Sequence, residues 1–206
     1  MESQSRREHW EHFYQTHPEQ NLSWFELVPA LSLEMIRKCA RSKSDSIVDI
    51  GGGNSRLVDS LLAEGYTSVT VLDVSSSALS VTRDRLGDRA AQVQWIESDV
   101  LAWNCSSSFD IWHDRAAYHF LTEAGDRASY AALAASGVKA GGSLIVATFG
   151  LEGPRSCSGL PVYRASAEMI AADFAAAFEL VESLPHEHQT PSGNIQRFQV
   201  SRLRRK

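Results

Sequence analysis

Along this chain, short apolar runs alternate with stretches whose apolar residues recur at helical spacing. Five runs, at 46–50, 68–73, 92–97, 109–113 and 143–149, are rich in Val, Ile, Trp or Phe and bounded by turn residues, the pattern of buried strands. Between them, Leu57, Val58, Leu61 and Leu62 share a helical face that Gly65 ends. A second helical stretch, 76–86, closes at Gly87, and a third, 126–138, runs into Gly141-Gly142. This alternation predicts an α/β fold with a mostly parallel sheet and helices on both faces.

The two ends read differently. Trp10, Phe13 and Tyr14 share one helical face, and Leu31, Met35, Ile36 and Cys39 share another, so the first forty residues predict two helices. Toward the C-terminus, Ser166 is placed to cap a helix carrying Ile170, Phe174 and Ala177. Apolar runs at 178–184 and 195–203 then predict an antiparallel hairpin across a turn region at 185–194. The expectation is one domain over 1–206: a helical cap at 1–42, a ligand-binding core at 43–150 and an acceptor-side part at 151–206.

Composition narrows the function classes. The 206 residues are 43% hydrophobic and 22% charged, with a net charge of −5. This acidic balance disfavours a broad surface for nucleic acid or anionic membrane, and the basic run at 202–206 reads as a solvated tail. No run approaches the roughly 18 apolar residues of a membrane span. The N-terminus lacks the apolar core of a secretory leader. Cys39, Cys105 and Cys157 are too scattered for a disulfide framework or a zinc site, and His186-x-His188 has no ligand partner at a recognised spacing. No metal is expected, and the expected compartment is the cytoplasm.

The most informative stretch is Ile47-Val48-Asp49-Ile50-Gly51-Gly52-Gly53-Asn54-Ser55, a strand running into three glycines ahead of a helix. Such a turn lets a ligand lie against the backbone. Asp73 lies 22 positions after Gly51, at the tip of the second strand, where a carboxylate accepts hydrogen bonds from ribose hydroxyls. Asp99, at the third tip, is placed for the amino group of an adenine, with Val74 and Val100 on either side of its ring. Each aspartate also suits a plain helix N-cap. A nicotinamide dinucleotide is the competing ligand, but the Gly-x-Gly-x-x-Gly spacing would need glycine where Arg56 stands.

With Leu72-Asp73-Val74, Ser98-Asp99-Val100, Phe109-Asp110-Ile111-Trp112-His113 and Gly141-Gly142-Ser143-Leu144-Ile145-Val146, in order and at matching intervals over about residues 45–150, the sequence resembles the class I S-adenosylmethionine-dependent methyltransferases. The resemblance implies a Rossmann-like, seven-stranded sheet whose last strand runs antiparallel, and S-adenosylmethionine as cofactor. It implies that Asp49 and the Gly51–Gly53 loop meet the methionine part, Asp73 the ribose and Asp99 the adenine. Gly52 is often cysteine in that family. Trp10-x-x-x-Tyr14 followed by Ser23-Trp24-Phe25 is similar to a branch of small methyltransferase-like proteins that includes protein-lysine methyltransferases. The branch implies that Trp10 and Tyr14 cover the cofactor and help shape the acceptor pocket, beside Trp24. The bland alternative is aromatic packing of a helix on the core.

The fourth strand ends in His113, Asp114 and Arg115, with His119 close behind. His113 and His119 are candidate general bases, and His113 also adjoins the cofactor. Asp114 is a candidate to orient a histidine or attract a cationic amine, and Arg115 to bind the acceptor. An Asp114–Arg115 ion pair with two packing histidines is the structural alternative. The segment lacks the Asn/Asp-Pro-Pro-aromatic and Pro-Cys motifs of base-methylating enzymes. In the glycine-rich loop after the fifth strand, Cys157 is a further acceptor-side candidate, or an inert surface thiol. The expected acceptor is a small molecule, with a protein lysine as the second reading.

Overall fold

The computed structural model describes residues 3–206, so residues 1 and 2 of the expected cap lie outside the described residues. Helices α1 (Ser3–Thr16) and α2 (Ala30–Cys39) form the N-terminal part. The core follows as β1 (Ile47–Ile50), α3 (Leu57–Ala63), β2 (Val69–Asp73), α4 (Ser76–Leu86), β3 (Val93–Glu97), β4 (Phe109–Arg115), α5 (Ala124–Gly137) and β5 (Val138–Phe149). A two-residue ribbon, β6 (Ser156–Cys157) and β7 (Leu160–Pro161), precedes α6 (Ala167–Phe174). The chain ends in β8 (Phe178–Gln189) and β9 (Ile195–Arg205).

Seven strands form one sheet in the order β3-β2-β1-β4-β5-β9-β8. Neighbours from β3 to β5 pair in parallel, and β9 runs antiparallel between β5 and β8. The expected Rossmann-like sheet with an antiparallel last strand is therefore present. Apolar side chains alternate between its two faces. Ile47, Val69, Val71, Ile111 and Ile145 pack with α2 and α3 on one face. Val48, Ile50, Trp112, Leu144 and Val146 pack with α5 and α6 on the other.

Three boundaries differ from the sequence expectation, each for a physical reason. Strand β8 runs through Pro185 to Gln189 instead of turning there. It is the edge strand, where a missing N–H leaves no ladder bond unmade. Strand β5 begins at Val138, five residues early, because the Gly141 turn (φ 73°) is absorbed as a register shift opposite Phe109–Ile111. Strand β4 continues past His113 to Arg115, which sorts the ionisable residues between the two faces.

Candidate active site

The carboxyl ends of β1, β2, β3 and β4 border one cleft of about 1130 Å³, counting its open mouth. Its floor starts at the glycine turn. Gly51 has φ 66°, and a Cβ there would lie 2.7 Å from the Ala117 Cβ. Gly53 has φ 44°, and its Cβ would meet the Tyr14 hydroxyl at 2.7 Å and Asp73 Oδ2 at 2.9 Å. Only glycine lets the turn after β1 pass this close to the tips of β2 and β4.

Asp73 is buried at the tip of β2, with one carboxylate oxygen accepting the Ser75 N–H at 2.8 Å. Burial pushes its pKa up to about 7, and Asp49 adds to the rise. This is a carboxylate short of solvation, suited to hydroxyl donors from a ligand. Asp99, one strand over, caps the turn that follows it by accepting the Leu101 N–H at 3.0 Å through Oδ1. Its Oδ2 accepts from Arg6 Nε of α1 at 2.8 Å. The N-cap role and the cleft-lining role thus coexist in one side chain. Val74 and Val100 border the cleft beside the two aspartates. The cradle therefore fits an adenosine: acidic acceptors at two tips and apolar walls between them.

Alternation along β4 decides its ionisable residues. His113 lies opposite Asp49 and faces the cleft. Its Nδ1 is 2.7 Å from Asp49 Oδ1 and its Nε2 is 3.0 Å from Ser32 Oγ of α2. Both ring nitrogens are thus engaged inside a buried Asp49–His113–Ser32 chain whose three members all border the cleft. Arg115, two residues on, shares that face and pairs with Glu26 at 3.0 Å.

Asp114 points to the opposite face, which corrects its placement in the site. It is fully buried and accepts from the Ala117 and Tyr118 N–H groups at 3.0 Å and the Tyr130 hydroxyl at 2.6 Å. It fixes the turn that carries Ala116 at φ 67°, a conformation costly for a residue with a Cβ. Burial pushes its pKa up to about 6. It neither pairs with Arg115 nor borders the cleft. His119 is likewise removed from the site. It is fully buried against Phe120 and Phe149, and neither ring nitrogen has a hydrogen-bond partner. Burial drives its pKa down to about 3, too low for a base working near neutral pH.

The roof comes from the N-terminal part. Trp10 of α1 lies 5.0 Å from Phe120 and 6.1 Å from Trp24, ring centre to ring centre, and all three rings border the cleft. Tyr14 and Trp24 border the cleft beside it, and Cys157 of β6 borders the far wall. Burial raises the Cys157 pKa, which keeps its sulfur a neutral thiol. His188 contacts the Ser23 carbonyl at 2.7 Å and Glu26 at 3.3 Å. Arg6, Ser32, Phe149, Gln196 and Phe198 also border the cleft, and sequence reasoning missed them. Each is an isolated residue far from the glycine turn, and only the fold brings it there.

Comparison with known proteins agrees with this geometry. A family model described as a methyltransferase domain matches residues 47–142. The chain is 27% identical over 93 residues to the mouse "eEF1A lysine and N-terminal methyltransferase", covering 45% of this chain and 13% of that protein. It thus spans about an eighth of the length of that relative. Among solved structures, the N-methyltransferase NodS from Bradyrhizobium japonicum, bound to S-adenosylhomocysteine, superposes with a TM-score of 0.73 at 17% identity, over 97% of this chain and 98% of NodS. A structure from work on converting a disulfide bond into a thioacetal group during echinomycin biosynthesis reaches a TM-score of 0.77 at 19% identity, over 97% and 93% of the two chains. Glycine turn, paired strand-tip aspartates, sheet order and the methyltransferase-domain match over residues 47–142 together support the class I S-adenosylmethionine-dependent methyltransferase superfamily for this chain.

Proposed function

We propose that this methyltransferase acts on a small-molecule acceptor. The observation that supports the proposal is the aromatic lining: Trp10 packs edge-on against both Phe120 and Trp24, and all three rings border the cleft. A concave, mostly apolar pocket with a few placed polar groups suits a small ligand better than an extended chain.

When bound, S-adenosylmethionine supplies a methyl group activated by its sulfonium charge. The protein then has to hold the acceptor atom in line, keep water out and accept any proton the acceptor loses. Asp73 binds the ribose hydroxyls, and Asp99 the adenine amino group, with Val74 and Val100 against the ring. Asp49 and the Gly51–Gly53 turn hold the methionine end. Trp10, Tyr14, Trp24 and Cys157 shape the acceptor side. His113 manages the proton. Asp49 fixes its Nδ1 as the protonated nitrogen, which leaves Nε2 to accept from the Ser32 hydroxyl. Ser32 in turn accepts from the acceptor and passes a proton inward, so the imidazole works through Ser32.

The second reading is protein-lysine methylation. It is favoured by the similarity to the mouse protein methyltransferase over the 93 matched residues. One experiment separates the two: purified protein, methyl-labelled S-adenosylmethionine, and metabolite and protein pools supplied apart. Label in the metabolite pool is the expected result. Label confined to the protein pool overturns the small-molecule proposal in favour of the second reading.

A further inference from the structure

Arg115 is the one arginine of β4, and its position follows from the register. Asp49 pairs with His113 and Ile50 with Asp114, so Arg115 stands beside Gly51, at the methionine end of the cleft. Alternation sends its side chain to the cleft face together with His113. Arg115 lines both the main cleft and a side cavity of about 260 Å³, counting its mouth, beside Trp24 and Ser55.

Its charge is only partly answered. Nη1 lies 3.0 Å from Glu26 Oε2, while Glu26 also shares its other oxygen with His188 at 3.3 Å. Nη2 is buried and has no hydrogen-bond partner in the protein. The guanidinium also lies over the Phe198 ring, 6.0 Å from its centre. Burial lowers the Arg115 pKa in spite of Glu26 and Asp49, the mark of a cation short of counter-charge. A buried donor on a permanent cation is costly to leave unmade. A cleft-lining arginine with one buried, unpartnered Nη2 has the planar fork that a carboxylate accepts from.

We propose that Arg115 is a carboxylate receptor in the methyl-transfer cleft. Its Nη2 edge takes a carboxylate lying beside Gly51, while its Nη1 stays on Glu26. Two sources carry that chemistry: the α-carboxylate at the methionine end of the cofactor, or a carboxylate on the acceptor. The inference rests on the methyltransferase reading, but it can fail without it.

The test is calorimetric titration of the full chain and of Arg115→Gln and Arg115→Lys. The probes are S-adenosylhomocysteine and 5′-methylthioadenosine, which has the same nucleoside without the amino-acid portion. If the cofactor supplies the carboxylate, Arg115→Gln weakens S-adenosylhomocysteine by roughly 10- to 100-fold and leaves methylthioadenosine within about twofold. If the acceptor supplies it, Arg115→Gln leaves both nucleosides unchanged. Benzoate or phenylacetate then binds the wild-type chain saturated with S-adenosylhomocysteine, their primary amides do not, and the variant loses the carboxylate binding.

Arg115→Lys keeps the charge without the fork, so it falls between wild type and Arg115→Gln in whichever arm responds, and it decides the matter if the glutamine variant does not fold. Two results overturn the proposal: equal losses for both nucleosides, or no arm in which a carboxylate distinguishes wild type from variant. Failure of the wild-type chain to bind S-adenosylhomocysteine at all would instead sink the methyltransferase reading.

Discussion

The two ends of the cleft are built by different rules. The end proposed for adenosine is made of strand tips in sequence order: the glycine turn after β1, Asp73 at the end of β2, Asp99 after β3. Each residue sits at a fixed offset from a strand, and the Ser98 N–H donates to the Asp73 carbonyl at 2.9 Å, tying two tips together. The acceptor end is assembled from distant pieces: α1, α2, the end of β4, β6 and β9. On the proposed assignment, cofactor binding is a property of local geometry and the choice of acceptor a property of long-range packing.

The largest expected effect lies at the adenosine end. Asp73→Ala removes a carboxylate assigned to two ribose hydroxyls, each worth roughly 1.5–3 kcal/mol, so affinity for S-adenosylhomocysteine falls by about 100-fold or more in calorimetry. Undiminished affinity would dissolve the distinction between the two ends. Asp114 sharpens it from the other side. Asp114→Ala strands two backbone N–H groups and the Tyr130 hydroxyl, and urea unfolding should show a loss of about 3 kcal/mol. A variant as stable as wild type but unable to transfer methyl would return Asp114 to the catalytic set.

His119 gives a pH signature. Its folded pKa is held at about 3 by burial. Between that value and about 6.5, its ordinary value, the unfolded chain binds a proton that the folded chain does not. Its contribution to stability is thus fully present above pH 6.5 and is lost as the pH falls toward 3. Asp73 and Asp114, with raised pKa values, change stability in the opposite sense over part of this range. The His119→Leu difference isolates the imidazole: relative to wild type the variant should gain about 2 kcal/mol between pH 7 and pH 5. A pH-independent difference would contradict the dry environment assigned to the ring. The smallest effect belongs to Ser32. Ser32→Ala should slow methyl transfer to the acceptor that the screen identifies by about tenfold, with affinity for S-adenosylhomocysteine within about twofold. Normal turnover in this variant would remove Ser32 from the proton path.

The same contrast explains what could be read in advance. The sheet, the glycine turn and both strand-tip aspartates follow from local patterns of apolar runs and turn residues, so sequence alone placed them. Pro185 misled because a proline interrupts a strand only where its N–H is needed, and the edge position of β8 is a tertiary fact. On β4, ending the strand at His113 hid the alternation that sends His113 and Arg115 to the cleft and Asp114 to the opposite core. His119 carries no local mark of its dry environment, because that depends on Phe149 from another strand. Ser32, Gln196 and Phe198 are ordinary residues in their own segments, and nothing short of the folded chain brings them to the cleft.

The central claim is that one nucleoside lies across three neighbouring strand tips. A crystal structure of the chain with S-adenosylhomocysteine tests it most directly. The account predicts the ribose diol within hydrogen-bond distance of the Asp73 carboxylate, the adenine between Val74 and Val100 with its amino group on Asp99, and the sulfur over the Gly51 turn. An adenosine bound away from Asp73, or one reaching neither aspartate, would contradict it.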